Sequence, residues 1–278
     1  MGDTRPIGVF DSGIGGLTIL RELVRELPGE RFIYFGDDAN CPYGPRPDFE
    51  VRELALGAAR WLTVRGAKAI VVACNAASVT ARTILRETFP DIPIVVVVPA
   101  VKPAAALTRS GKIILAATAR AINDRFTGEL IDQFADGVEV IPVACPGLVD
   151  LVEGGQLEGL EPERIIAGYF TPALAAGADV VVLGCTHFPA LRAAVERVVG
   201  PGIAVIDSGA AVAHQTRRVL ADQGLLAPTD ASQSSTPPAV EFWTSGDPAR
   251  FARVGSAVLG WDIQAEHGST GVSFQANR

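Results

Sequence analysis

The sequence predicts an α/β protein made of two similar open parallel-sheet domains, and three observations predict it. Short β-branched runs alternate with longer amphipathic segments along the chain. The short runs are apolar throughout rather than alternating, as strands covered on both faces are. The chain also echoes itself. Residues 70–75 (IVVACN) resemble 180–186 (VVVLGCT), and 6–12 (PIGVFDS) resemble 112–118 (KIILAAT), each a strand followed by a small or polar turn. The offset of about 110 positions is too long for a solenoid and fits two like domains instead. The halves are expected to face each other about a pseudo-two-fold axis. Residues 1–98 plus 208–278 form the first, 99–207 form the second, and the active site lies in the cleft between them.

In chain order, strands are expected at 6–10, 31–36, 68–73, 93–98, 112–116, 138–143, 179–183 and 203–206. Helical periodicity falls between them, as at 15–27 (GGLTILRELVREL), 48–65, 77–88, 162–176 and 188–199. The stretch 226–239 (LAPTDASQSSTPPA) is polar and rich in Ser and Pro, and reads as a surface loop. The tail from about residue 264 lacks periodicity and is expected to be loosely held.

Composition narrows the function classes. With 278 residues, 48% hydrophobic and 20% charged, the chain has material for a substantial core. A net charge of −7 and scattered basic residues argue against a nucleic-acid surface. The pair Arg217 and Arg218 in TRRVL reads as a solvated helix face. The start, MGDTRPIGVFDSG, runs directly into a strand and a Gly turn rather than a secretory h-region. The longest apolar stretch, IPIVVVVPA, is too short to span a bilayer. A soluble, cytoplasmic protein without a membrane partner is expected.

The four cysteines, Cys41, Cys74, Cys145 and Cys185, form no C-x-x-C pair. The three histidines, His187, His214 and His267, are not at metal-ligand spacing to them, so no metal is expected. A buried small hydrophobe is the ordinary state of a free cysteine. Two of these four sit where chemistry is done. Ligands of open parallel sheets bind at the carboxyl ends of the strands. That edge would gather Asp11 and Ser12 after the first strand, Asp37 to Gly44 after the second, Cys74 and Asn75 after the third, and Cys185, Thr186 and His187 after the later one. Moving a proton from one face of a carbon to the other needs a base on each side. Two thiols can fill those roles, and each precedes a helical pattern whose dipole would favour a thiolate. His187 could exchange protons with Cys185, and Asp11 with Cys74.

Rival chemistries fit less well. A Cys–His hydrolase would leave one of the two thiols idle. Pyridoxal phosphate needs a Schiff-base lysine, and Lys68, Lys102 and Lys112 lie in no strand-end motif. DSGIGGL at 11–17 lacks the features of a nucleotide loop, although its N–H groups could hold a carboxylate.

Seven motifs occur in order: GVFDSGIGGLTILREL, YFGDDANCPYG, ACNAAS, ACPGLVDLVE, VVLGCTHFPAL, IDSGAAVA and FWTSGDPARF. From residue 6 to 261 the chain thereby resembles the glutamate racemases of the cofactor-independent aspartate/glutamate racemase superfamily. The resemblance implies two α/β domains and interconversion of L- and D-glutamate without pyridoxal phosphate, metal or nucleotide. It implies D-glutamate supplied to peptidoglycan, and it admits a homodimer. Cys74 and Cys185 match the acid/base pair, the first acting on the D- and the second on the L-enantiomer. Asp11, Glu153 and His187 match residues that assist the thiols. Ser12, Pro42, Tyr43, Gly44, Asn75, Thr118 and Thr186 match substrate-binding positions, which Asp11 and His187 also share. Cys41 and Cys145 match no catalytic position.

The departures are local. Ala76 stands where the family has Thr, as does Ala121, and Asp38 and Asn40 stand where Thr and Arg are frequent. A lost hydrogen bond to a charged group costs about 1.5–3 kcal/mol. An altered amino- or hydroxy-acid substrate is therefore the second reading. A ligand-binding paralogue with low turnover is the third.

Overall fold

The computed structural model describes residues 2–228 and 239–274. In chain order the elements are β1 (Ile7–Asp11), α1 (Leu17–Glu26), β2 (Phe32–Gly36), α2 (Asp48–Val64), β3 (Ala69–Val72), α3 (Asn75–Thr88) and β4 (Ile94–Val96). Then follow α4 (Val101–Leu107), β5 (Lys112–Ala117), α5 (Ala119–Asn123), α6 (Arg125–Phe134), β6 (Glu139–Ala144), α7 (Leu148–Glu153), α8 (Leu160–Ala175), β7 (Val180–Leu183), α9 (Arg192–Val199) and β8 (Ala204–Asp207). The last are α10 (Gly209–Asp222), β9 (Val240–Thr244), α11 (Pro248–Leu259) and β10 (Ala265–His267). Residues 98–208 form one compact unit, and the described residues on either side of them form the other.

The outer segments build a six-stranded sheet in the order β10-β9-β2-β1-β3-β4, all pairs parallel. The central segment builds a parallel four-stranded sheet, β6-β5-β7-β8. Counted within each unit, β2-β1-β3-β4 and β6-β5-β7-β8 are the same order, second-first-third-fourth. The sequence echo thus pairs β1 with β5 and β3 with β7. In such a sheet the chain reverses direction of travel beside the first strand, and the crevice there is where ligands bind.

The strand runs are continuous because their surroundings are. Every residue of β1, β2, β3 and β7 is buried. Beneath β1 and β3, the large side chains Leu54, Leu62, Trp61 and Leu85 of α2 and α3 pack against Phe10, Ile70 and Val72. Each buried leucine or phenylalanine side chain stabilises the unit by about 1.5–3 kcal/mol. The smaller sheet packs Ile113, Leu115, Val180 and Val182 against Ala100 and Ala104 around α4. Its strands β6 and β8 lie at its edges and are partly exposed, unlike the buried strands their composition suggests. Helix starts follow from caps: Asp124 accepts from Phe126 N at 2.8 Å, and Asp247, before Pro248, accepts from Ala249 N at 2.9 Å.

Two expectations need correction. The periodic stretch 188–199 is not one helix: Phe188–Leu191 is a 3-10 turn containing Pro189, and α9 starts only at Arg192. The tail beyond 264 is held as far as residue 274. It forms β10 beside β9, and Val272 and Phe274 pack on the core of the outer unit. Its strand is only three residues long, too short to show a period. Of the loop expected over 226–239, residues 229–238 lie outside the described residues. Before them, Leu226 O accepts from Asp3 N and Ala227 N donates to Glu30. Arg217 and Arg218 are exposed on α10, as read from the sequence. Among the described residues, no helix is long and apolar enough to cross a membrane.

Asp179, just before β7, ties the start of the central sheet to the turn ahead of β5. Its carboxylate accepts from Thr108 Oγ1 at 2.5 Å, Arg109 N at 2.8 Å and Ser110 N at 3.0 Å. Burial pushes its carboxyl up, but these hydrogen bonds outweigh that and hold it at about 2. A depressed carboxyl stabilises the fold fully above its unfolded value of about 3.9, and that stability is lost as pH falls through the folded value. Asp179→Asn should therefore weaken amide-exchange protection of residues 98–208 at pH 5, and the difference from the parent should close towards pH 2. A constant difference across that range would count against the assignment.

Candidate active site

In the outer unit the crevice beside β1 is flanked by Asp11, the last residue of β1, and Cys74, two residues past β3. Cys74 is extended (φ −101°, ψ 120°) and caps the 14-residue helix α3. Cys74 therefore stands at the positive end of the α3 dipole, which favours a thiolate, although its side chain makes no capping hydrogen bond. The thiol donates to Ser12 Oγ at 3.6 Å, and that hydroxyl donates to Asp11 Oδ1 at 3.0 Å. Asp11 Oδ1 also accepts from Gly13 N at 3.1 Å. Asp11, Ser12, Cys74 and Asn75 are all buried. Gly16 makes room for this carboxylate. A Cβ there would lie 2.7 Å from Asp11 Cβ, 2.9 Å from Asp11 Oδ2 and 2.8 Å from Tyr34 Oη.

In the central unit the equivalent positions follow β5 and β7. Cys185 stands two residues past β7, as Cys74 stands two past β3. Between strand and cysteine, Gly184 passes close to the neighbouring strand, where a Cβ would meet Leu115 Cδ1 at 2.9 Å and Ala116 O at 3.1 Å. Cys185 Sγ lies 3.9 Å from His187 Nδ1, and His187 Nε2 lies 2.7 Å from Glu153 Oε1, at the end of α7. An ionised carboxylate only accepts, so Nε2 carries a hydrogen and Nδ1 is left to take a proton from the thiol. Cys185, Thr186, His187 and Glu153 are all buried. The helix-dipole expectation holds less well here. A 3-10 turn, not an α-helix, follows this cysteine, so the imidazole rather than a helix terminus is the group facing the sulfur.

In each unit a strand-end sulfur thus lies beside a side chain able to exchange a proton, with a carboxylate behind that side chain. The relay is a hydroxyl in one unit and an imidazole in the other. Thr118 follows β5 as Ser12 follows β1, and its hydroxyl caps α5 by accepting from Ala121 N at 3.3 Å. Ala76 and Ala121 are both buried.

Cys145 directly follows β6 in the same sheet. Its thiol donates to Val143 O at 3.3 Å, and burial, reinforced by the charge of Cys185, pushes it up to about 12. A thiol so raised stays protonated and is a poor nucleophile.

The profile of the Asp/Glu/Hydantoin racemase family matches residues 7–216. The chain belongs to that family. Among its relatives, the glutamate racemase of Roseiflexus sp. (strain RS-1) is 46% identical over 250 residues, covering 90% of each chain. The crystal structure of glutamate racemase from Francisella tularensis in complex with D-glutamate is 30% identical, with a TM-score of 0.81 over 96% of this chain and 98% of that one. The Escherichia coli glutamate racemase, crystallised with L-glutamate and the activator UDP-MurNAc-Ala, is 32% identical with a TM-score of 0.79, covering 95% and 97%.

Within this member of the family, the turn carrying Pro42, Tyr43 and Gly44 is anchored by Asp37, which the sequence placed at this sheet edge without a role, and by Ser245, for which it predicted none. Tyr43 Oη donates to Asp37 Oδ2 at 2.5 Å, Asn40 Nδ2 donates to both Asp37 oxygens at 3.0 and 3.1 Å, and Ser245 Oγ donates to Oδ1 at 2.7 Å. Burial pushes the Tyr43 phenol well above its ordinary range, and the Asp37 charge adds to that, followed by smaller contributions from Cys74 and Asp11. The nearest available signal was positional: Asp37 directly follows β2, at the same sheet edge as Asp11. Ser245 follows β9, a strand the sequence reading lacked. The unusual Asp38 pairs with Arg250 Nη1 through both oxygens, at 2.8 and 2.7 Å.

Proposed function

We propose that the protein is a cofactor-independent racemase that interconverts L- and D-glutamate, with Cys74 and Cys185 as its two bases. The observation that carries this reading is the matched pair of strand ends. Two sheets of one strand order each place a cysteine two residues past the third strand, and each sulfur contacts a proton relay backed by a carboxylate. The 46% identity to a glutamate racemase and the similarity to glutamate-bound relatives support the choice of substrate.

In the proposed reaction one cysteine is a thiolate and the other a thiol. The thiolate takes the α-proton and becomes S–H, and the electron pair of the C–H bond stays on the substrate as a carbanion. The other thiol gives its proton to the opposite face and becomes the thiolate. Cys74 starts from D-glutamate and Cys185 from L-glutamate. Ser12 and Asp11 serve Cys74, and His187 and Glu153 serve Cys185. The positions Pro42–Gly44, Asn75–Ala76, Thr118 and Thr186, with Ser12, Asp11 and His187, hold the substrate, N–H and O–H donors meeting its carboxylates and oxygen acceptors its ammonium. The reading requires that one substrate be reached by both sulfurs. It needs no cofactor, and it places the enzyme in the cytoplasm, feeding D-glutamate to peptidoglycan.

Deuterium wash-in tests it. In D2O the full chain should exchange the α-proton of both glutamate enantiomers while forming the racemate. Exchange no faster than that of a Cys74→Ser/Cys185→Ser control would overturn the reading. Wash-in into another amino or hydroxy acid but not glutamate would transfer the mechanism to that substrate.

A further inference from the structure

We propose that Asp37 is a positioning residue, whose buried carboxylate holds the Pro42–Tyr43–Gly44 turn in the shape that receives substrate. The inference rests on the racemase reading for what the turn binds, and on the outer unit alone for its geometry.

Asp37 is 1% exposed, and its three side-chain donors, Tyr43, Asn40 and Ser245, are all neutral. Burying an anion among neutral donors is expensive. Packing alone would be served as well by a neutral acceptor. What a carboxylate adds is one-way traffic: it only accepts, so every donor hydrogen around it has a fixed direction.

The contacts also bracket the turn. Asp37 N donates to Asp11 O at 2.9 Å, tying the start of the segment to the last residue of β1. Ser245 N donates to Gly36 O at 3.0 Å, and Ala39 N donates to Ser245 Oγ at 3.1 Å, tying it to the end of β9. Asn40 N donates to Asp37 O at 3.0 Å, and Arg46 N to Tyr43 O at 3.1 Å. Asn40 and Tyr43 therefore converge on the Asp37 carboxylate, which also takes Ser245 Oγ from the end of β9, while backbone bonds of the same segment tie it to the end of β1. Tyr43 packs in the same core cluster as Cys74 and Ala76. A shift of the turn would therefore be felt beside the reacting sulfur.

Asp37→Asn replaces one acceptor oxygen with a donor facing donors. In steady-state racemisation by the full chain it should raise KM for both enantiomers about tenfold or more, with kcat within about threefold, because substrate positioning is lost and the thiols are not. Ser245→Ala and Asn40→Ala should raise KM in the same direction by less. They decide the matter if Asp37→Asn does not fold. KM unchanged in the folded variants, or a loss confined to kcat, would overturn the proposal. A second measurement is independent of turnover. Amide exchange of residues 38–46 should speed up in Asp37→Asn while β1 and β2 keep their protection. Unchanged exchange in that segment would refute the role even if the parent protein proved inactive on glutamate. Parent inactivity together with faster exchange would refute only the substrate.

Discussion

Cys74→Ala should stop racemisation yet leave the α-proton of L-glutamate exchanging with solvent, and Cys185→Ala should leave only D-glutamate exchanging. The reason is that a two-base reaction has two separable halves. With Cys185 alone, the thiolate can remove the proton of L-glutamate, trade it with solvent through His187, and return a deuteron to the same face. The opposite face has no donor, so configuration is retained. Removing a positioned acid or base typically costs about 10²–10⁴ in rate, and racemisation, which needs both, should fall by at least that factor. Each half-reaction keeps its own relay: Ser12 and Asp11 beside Cys74, His187 and Glu153 beside Cys185. The measurement is loss of the α-proton signal of each enantiomer in D2O, with chirality followed in parallel. If either folded variant exchanges both enantiomers equally, a single base serves both faces and the two-thiol reading falls.

The sequence showed the architecture where pattern and environment agree. β1 to β8 could be placed within a residue or two because all read as apolar runs, including β6 and β8, which lie partly exposed at the sheet edges. The internal echo foretold a repeated strand order because β3 and β7 meet the same constraints: both are central, both are buried, and both end at a switch point. β9 and β10 went unseen for the opposite reason. β10 is a three-residue edge strand, and β9 follows the Ser/Pro-rich stretch with one glutamate facing outward. The helix expected over 188–199 begins instead as a 3-10 turn over Phe188–Leu191, and α9 starts only at Arg192. At the site, residues adjacent in sequence were legible: Cys74 with Asn75, and Cys185 with His187. Contacts across the fold were not. That Ser12 stands between Cys74 and Asp11, or that Ser245 reaches back across 208 positions to Asp37, depends on which strands become neighbours. Glu153 behind His187 came from resemblance, since nothing across their separation of 34 positions announces the contact.

The amino-terminal edge of the larger sheet carries a second buried charge, and removing its partner should produce the largest loss of stability in the chain. Lys68, just before β3, is 2% exposed and Glu30, just before β2, is 3% exposed. Lys68 Nζ donates to Glu30 Oε2 at 2.5 Å and to Asp3 O at 2.6 Å, while Glu30 Oε1 accepts from Ala227 N at 2.8 Å. The pair therefore joins the first residues, two central strands and the segment after α10. Lys68→Met would strand a carboxylate in the interior, which costs about 3–5 kcal/mol. For a domain of this size that is a fall in Tm of about 6–20 °C. Lys68→Met/Glu30→Leu should recover most of it, because removing both charges removes the desolvation penalty along with the attraction. The three tryptophans, Trp61, Trp243 and Trp261, all lie in the outer unit, so intrinsic fluorescence follows the unfolding of that unit alone. A Tm within about 2 °C of the parent in Lys68→Met would show that water reaches Glu30 and that the pair is not buried in solution. The strands run parallel, so Lys68 begins β3 and Cys74 follows its end. Racemisation well below the melting range should therefore be unchanged in Lys68→Met, separating what holds the sheet together from what its carboxyl edge does.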